Sequence, residues 1–351
     1  MHPHPTPHVA NRLGRRGLRG ALVVLAAVLM LAATGCDATG WLRTSNSSPD
    51  AHSASDGTSP VANNSPSASP SPKKKKKHYP TGPPMYLDSI APLSGTTVGV
   101  AMPISMVFTT PVKTSARKRI EQAITLKTSV PVTGAWHWFG SQRLDFRPKH
   151  FWKSGTKISM VARFNHVGDG YGRYGTHSYT RQFTIGDDIR THVYVKGHKT
   201  VVTKNGHVIR TMLSDAGNPE FPSWDGTMAV VNKERTTEMT SCSVHIACNP
   251  KDPNFYDITL PWDVRITNSG TFLHYSTGDP YPGHAYGSHG CVHLSYKDAE
   301  WYYNLSKQGD PVTITGSPRG KAAGDNGYAD YDVPWSEWLA DSGMKQFTTT
   351  A

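Results

Sequence analysis

Apolar residues in the middle of this chain recur two apart, in runs too short to be anything but strands. Val98, Val100, Met102, Ile104, Met106 and Phe108 alternate with mostly small residues, and Ile158, Met160, Ala162 and Phe164 repeat the pattern. Between them Trp136 and Trp138, then Leu144 and Phe146, keep the spacing across Gly- and Ser-rich breaks. A strand turns successive side chains to opposite faces, so this period builds half-buried sheet. Pro103 lacks a ladder donor and marks an edge or a bulge. Short strands at this spacing predict a β-sandwich over residues 85–187, closed by Ile185-Gly186-Asp187. It contains no reactive cluster and reads as a spacer or substrate-positioning module.

A second β region covers residues 188–316. Val193 and Val195 suggest one strand. Val201-Val202-Thr203-Lys204 and His207-Val208-Ile209-Arg210 flank Asn205-Gly206, the strongest short hairpin signal. Residues 214–226 lose periodicity and read as a loop, residues 228–231 as a strand, and residues 236–257 as a long polar lid over a cleft. Ser295 with Asp298 three residues on resembles a helix cap, with Ala299, Tyr302 and Leu305 as the buried stripe. Val312-Thr313-Ile314 reads as the last strand. The fold class is therefore mainly β.

The ends of the chain differ from its middle. Arg12, Arg15, Arg16 and Arg19 precede an apolar run over residues 21–33 that ends in Thr34-Gly35-Cys36. A basic segment, a short apolar run and small residues at the cut describe an export signal over residues 1–35, too short for a comfortable membrane span. Cys36 directly after the cut resembles a bacterial lipobox, which implies a lipid anchor on Cys36 and a protein held on the outer face of the cell membrane, facing the wall. An ordinary cleaved signal with an incidental Cys36 is the alternative. Residues 36–84 are rich in Ser, Pro, Asn, Ala and Thr, cannot offset their ordering entropy by burial, and form a disordered tether. Fifty flexible residues span roughly 40 Å. The five lysines at 73–77 read as a solvated block, or as adhesion to anionic lipid or wall polymer. Removing the four arginines of the signal from the net charge of +11 leaves +7, a balance that suits anionic envelope polymers or lipid headgroups. No nucleic-acid motif is present.

The chemistry concentrates in Ser288-His289-Gly290-Cys291-Val292-His293-Leu294, with His274 upstream in Phe272-Leu273-His274-Tyr275. A free thiol has a pKa near 8.5 and is only slightly ionised at neutral pH. A histidine partner takes its proton, and a glycine permits a turn whose amides point at a developing oxyanion. The constellation reads as acyl transfer through a cysteine thioester. His274 followed by Ser-His-Gly-Cys resembles the signature of the L,D-transpeptidases, the YkuD-type enzymes that cross-link bacterial peptidoglycan. The stretch from Ile266 to Tyr303 and the tail Tyr331-Asp332-Val333-Pro334-Trp335-Ser336-Glu337-Trp338 are similar to the actinobacterial branch, in which an immunoglobulin-like domain precedes the catalytic one.

The resemblance implies that Cys291 is the nucleophile and His274 the base, its ring oriented by a backbone carbonyl, here that of Tyr275. Gly290 and Cys291 would supply oxyanion amides. His289 would shape the pocket or serve as a structural hydrogen-bonding group. Met239 and Tyr256 align with lid residues, and Ser269, Gly270 and Phe272 with the strand and turn lining the cleft; Tyr275, Ser288 and His293 complete the expected substrate contacts. Two departures stand out: His293 occupies a place where the family usually has Asn or Arg, and a tryptophan common after the base is absent near Gly278. With Cys36 and Cys291 assigned, Cys242 and Cys248 remain, and outside the cytoplasm they are expected to form a disulfide worth about 2–3 kcal/mol. Two free thiols, or pairing of either with Cys291, are the alternatives. Zinc bound by His274, His284, His289, His293 and Cys291 ranks behind the thiol mechanism, because no close pair matches a zinc-enzyme motif and the metal would consume the nucleophile. No metal or cofactor is expected.

By that resemblance the substrate is a peptidoglycan tetrapeptide stem, attacked at its third residue with loss of the terminal D-alanine, and a second stem's side-chain amine resolves the thioester into a 3→3 cross-link. Carbapenem β-lactams are the expected inhibitors. An L,D-carboxypeptidase with water as acceptor, an enzyme attaching protein lysines to peptidoglycan, and a non-catalytic wall-binding lipoprotein are the rivals. Residues 317–351 are expected to form a C-terminal subdomain that packs on the catalytic domain through Trp335 and Trp338.

Overall fold

A computed structural model of the chain describes residues 78–350. The export signal, Cys36, most of the tether and the five lysines at 73–77 lie outside the described residues. Packed structure begins ahead of Met85: Tyr79 stacks on His166 with ring centroids 4.0 Å apart, and Pro84–Met85 pairs in parallel with Tyr174–Gly175. Packing thus reaches back to Tyr79, ahead of the expected boundary at residue 84.

The sandwich has two sheets. One runs Leu87–Ala91, Ile104–Phe108, Arg143–Pro148, Thr133–Phe139, Phe347–Thr348, and the other Thr97–Val98, Ser178–Ile185, Lys157–Arg163, Ile124–Thr128. Trp136, Phe146 and Met106 from the first meet Ile158, Met160 and Phe183 from the second in a single core. The alternating run from Val98 to Phe108 is not one strand: its ends belong to different sheets, and residues 99–103 cross between them. That crossing is itself buried, because the Gly99 and Ala101 amides donate to the Gln308 and Gly309 carbonyls of the following domain at 2.8 and 2.9 Å. A Cβ on Gly99 would lie 2.2 Å from the Asp310 backbone nitrogen, so only glycine admits this approach.

The second domain is built on nine strands in the spatial order Gly226–Ala229, Pro311–Thr315, Ile189–Tyr194, Lys199–Lys204, His207–Asp215, Val292–Leu294, Phe272–Tyr275, Asp257–Arg265, Asn232–Thr240. The expected hairpin is present, and Asn205 (φ 50°) and Gly206 (φ 85°) both take the left-handed conformation its two-residue turn requires. The expected lid over residues 236–257 is strand in its first part, since Asn232–Thr240 pairs with Asp257–Arg265. That strand is the edge of the sheet, so its polar side chains face water and mimic a loop in sequence. Only residues 241–256 form the loop proper, and the Cys242–Cys248 disulfide ties its first half. Ser295 caps the helix Tyr296–Leu305 by accepting from the Asp298 amide at 3.3 Å, and Ala299 and Tyr302 are buried beneath it.

The tail departs most from expectation. Its first part does lie on the second domain: the Thr227 amide donates to Asp332 at 2.6 Å, and the Ala229 amide to the Tyr328 carbonyl at 2.8 Å. Beyond Val333 it leaves that domain for the sandwich. Trp338, fully buried, donates to the Ala135 carbonyl at 3.0 Å and stacks on His137, and Phe347–Thr348 becomes the fifth strand of the first sheet. Arg147 lies 4.6, 5.0 and 4.5 Å from the rings of Tyr331, Trp335 and Trp338. The tail is a clamp over both domains. The docking surface for its aromatics is an arginine and sheet edge of the other domain, which a local sequence reading does not associate with them.

Candidate active site

Register explains how the reactive groups meet. The strands Phe272–Tyr275 and Val292–Leu294 run parallel, with Leu273 opposite Val292, His274 opposite His293 and Tyr275 opposite Leu294. Leu273, Val292 and Leu294 enter the hydrophobic core. Alternation then turns His274 and His293 to the other face, together with Cys291, two residues before His293. Cys291 thus sits just ahead of the three-residue strand Val292–Leu294.

The turn before it is held by Ser288, whose hydroxyl donates to the Cys291 carbonyl at 2.6 Å and accepts from the Gly290 amide at 3.1 Å. Gly290 takes φ 118°, a conformation that side chains disfavour. This corrects one expectation, because the Gly290 amide is committed to Ser288 rather than to an oxyanion.

A cavity of about 610 Å³ opens over this face. Cys291, His274, His289, His293, Ser288, Ser269, Gly270, Met239 and Tyr256 all line it, so most of the residues picked from the sequence converge. The Cys291 thiol donates to the Gly270 carbonyl at 3.5 Å. Burial pushes the thiol up to about 12, against the opposing pull of the Phe272 amide. His274 is 2% exposed, and its Nδ1 lies 2.8 Å from the Tyr275 carbonyl oxygen. That contact makes Nδ1 the donor and leaves Nε2 as the acceptor. Burial, reinforced by the His293 ring 5.1 Å away, holds His274 down to about 3. Thiol and imidazole are therefore both neutral at rest.

Phe272 and Tyr275 stand apart from the cavity lining. Phe272 is buried with Arg265 4.8 Å over its ring, and Tyr275 packs edge-on against Tyr296. Tyr275 acts at the site through its carbonyl. The Ser269 hydroxyl accepts from Trp224 at 3.2 Å and Asn326 at 2.9 Å, fixing the rim of the cleft. His289 lies between Phe221 and Tyr256, 5.0 and 5.1 Å from their rings, with Nε2 buried and unpartnered among the described residues. Burial lowers its pKa and raises that of Tyr256 to about 12.

Val244 and Ile246 of the disulfide loop, Glu220, Asp279 and Arg319 also line the cavity, and the sequence reading did not identify them. Asp279 Oδ2 lies 3.0 Å from His293 Nδ1. Below it Asp215, fully buried, accepts from the Gly283 and Ala285 amides at 2.9 and 3.1 Å and pairs with His198 Nδ1 at 2.6 Å, pinning the loop between base and nucleophile. Its position at the end of the strand beside Val292–Leu294 was the available signal. A larger, more open groove of about 770 Å³ on the sandwich is lined by Lys127, Lys157 and neutral residues, with no thiol, imidazole or carboxylate.

Comparison with known proteins matches two stretches of the chain. Residues 67–168 match a bacterial Ig domain and residues 188–314 an L,D-transpeptidase catalytic domain. L,D-transpeptidase 1 of Mycobacterium tuberculosis is 32% identical over 229 residues, which are 65% of this chain and 84% of that protein. L,D-transpeptidase 2 of the same organism is 31% identical over 254 residues, 72% of this chain but only 61% of the relative's length. Among solved structures, LdtMt1 in complex with imipenem superposes with a TM-score of 0.56 at 30% identity, covering 67% of this chain and all of that one. An L,D-transpeptidase from Mycobacterium smegmatis gives 0.54 at 27%, covering 66% of this chain and all of that one.

Proposed function

Since the chain belongs to the L,D-transpeptidase family, we propose that it cross-links peptidoglycan through a thioester on Cys291. The observation that carries this reading is the meeting of a neutral thiol and a buried, tautomer-fixed imidazole on one face of two parallel strands, under a cavity large enough for a peptide stem. As Cys291 attacks the donor carbonyl, its proton passes to His274 Nε2, so charge develops only along the reaction. The Cys291 amide, the Gly290 amide being engaged, faces the developing oxyanion. The C–N bond breaks, His274 returns the proton to the departing D-amino acid, and the thioester keeps the energy of the broken peptide bond. The amine of a second stem then attacks, the C–S bond breaks, and a 3→3 linkage forms. The export signal and lipobox over residues 1–36 supply a lipid anchor that places this reaction on the outer face of the membrane.

Intact mass after imipenem treatment tests the nucleophile. We expect one covalent adduct on the wild type and none on Cys291→Ala of unchanged melting temperature. An adduct that survives the substitution, or a folded wild type that takes none, refutes the assignment.

A further inference from the structure

The proton count of this reaction exceeds what one histidine handles. In the second half-reaction the acceptor's side-chain amine arrives as an ammonium, since alkylamines have pKa values near 10.4. It must lose one proton before it can attack, and a second as the amide forms. The second matches the proton that the Cys291 thiolate regains through His274. The first has no destination on His274, whose Nδ1 is held by the Tyr275 carbonyl and whose Nε2 serves the sulfur.

A second imidazole stands beside it. His293 shares the face of Cys291, lies opposite His274 in the strand register, and sits 5.1 Å from it, ring edge to ring face. Its Nδ1 is paired with Asp279 Oδ2 at 3.0 Å, and both residues line the cavity. The Asp279 side chain is 17% exposed, so this pair connects the enclosed site to solvent. We infer that the Asp279–His293 pair is the acceptor-amine subsite: it receives the incoming ammonium, takes its surplus proton on His293 and passes it towards solvent. The step balances: the N–H bond of the ammonium breaks, the His293 Nε2–H bond forms, and the neutral amine keeps the lone pair that attacks the thioester. His293 is then a catalytic residue of the second half-reaction and Asp279 its positioning partner. The inference rests on the function proposed above.

The charged and titratable groups around His293 are Asp279 and Asp215 on the acidic side, with His274 and His289 opposing, and His284 acting on Asp279. Burial holds His293 down to about 4, and the Asp215 field only partly offsets it. The same enclosure lowers the pKa of an ammonium that enters, because both are cationic acids. Transfer between the two is therefore governed by their local partners, and for His293 the group in contact is Asp279 Oδ2, 3.0 Å from Nδ1, which leaves Nε2 as the acceptor. Water, the competing acceptor, is neutral and needs no such step.

Partition of the acyl-enzyme between amine and water tests this. The folded protein, with a tetrapeptide-stem donor, is offered at pH 7.5 either an alkylamine or an α-amino amide, whose amine has a pKa of about 8 and is about a quarter unprotonated, against roughly a thousandth of the alkylamine. We expect His293→Phe and Asp279→Asn each to lower the aminolysis-to-hydrolysis ratio for the alkylamine at least about tenfold. The α-amino amide should change far less, and raising the pH to 9.5 should restore part of the alkylamine ratio. Equal losses with both amines mean a packing role and overturn the inference, as does an unchanged ratio. Release of the terminal D-amino acid is followed in the same assay. If the wild type releases none, the parent reading has failed rather than this step.

Discussion

The molecule buries two clusters of titratable groups, one around Cys291 and one at the seam where the sandwich meets the tail. In the first, His274, His293 and Cys291 are all displaced towards their neutral forms, chiefly by burial. In the second, Asp330 is fully buried and held far above the carboxylate range by burial and by the facing Asp145, and Arg143 donates to Asp145 at 2.6 Å and to the Gly327 carbonyl at 2.8 Å. What separates them is space. The first faces a cavity of about 610 Å³, whereas the Arg143 fork is filled by Asp145, the Asp325 and Gly327 carbonyls and the rings of Phe139 and Tyr328. Perturbed titration marks burial; perturbed titration beside an opening that a substrate can enter marks chemistry.

The sharpest way to break this comparison is to exchange its consequences. His274→Gln should lower turnover of a stem donor by about 10²–10⁴-fold, the usual worth of a positioned base, without lowering the melting temperature. A variant that retains most of its turnover would mean that the thiol is activated by another group. The seam should respond in the opposite sense. Trp338→Ala removes a fully buried indole held by the Ala135 carbonyl and is expected to cost about 3–5 kcal/mol of stability. Below its melting temperature this variant should still be acylated by imipenem at close to the wild-type rate. Removing everything from Tyr328 onward takes away the indole, the fifth strand, the Tyr328 ring beside Arg143 and the three rings around Arg147 together, and should lower the melting temperature further. An unchanged melting curve would show that the clamp contributes nothing.

How far the sequence disclosed these two centres follows from how local each one is. Cys291, His274 and the Asn205-Gly206 hairpin are specified by residues near one another in the chain, and the cap on the helix Tyr296–Leu305 lies within four residues. The Cys242–Cys248 bridge closes a gap of six residues. What stayed illegible depends on distant partners. Asp279 acquires its role only because register brings His293 beside it, and Gly290 lost its expected role to a serine two residues back. Residues 236–240 look like the start of a lid in sequence because they lie on the edge strand Asn232–Thr240, which has a solvated face. The sequence reads Trp335 and Trp338 as packing on the second domain, but the surface that Trp338 meets belongs to a strand about 200 positions earlier, the one that carries His137.

The smallest expected effect concerns pH, and it asks whether the seam, taken to include the crossing where the sandwich meets the second domain, titrates without doing chemistry. Asp310 is 1% exposed beside the residue 99–103 crossing; its Oδ2 accepts from the Lys307 amide at 2.7 Å, while Oδ1 lacks a partner among the described residues. Burial raises its pKa to about 7, against the opposing Lys307 amide and the charges of Lys307 and Lys233. In the unfolded chain an aspartate titrates near 3.9. The folded state therefore holds this proton more tightly, and the associated stability is fully present below about pH 4 and lost as pH rises through 7. Asp263, on the strand Asp257–Arg265 and raised to about 7 chiefly by burial, acts in the same sense within the sheet that carries the site. The melting temperature should accordingly fall between pH 5 and pH 8. Asp310→Asn keeps the acceptor for the Lys307 amide and removes the charge, so it should flatten that slope and gain most at pH 8. Imipenem acylation should follow the wild-type pH profile throughout. If the variant's melting curve runs parallel to that of the wild type, the seam is not what titrates; if its acylation profile shifts, seam and site are coupled and the contrast between them fails.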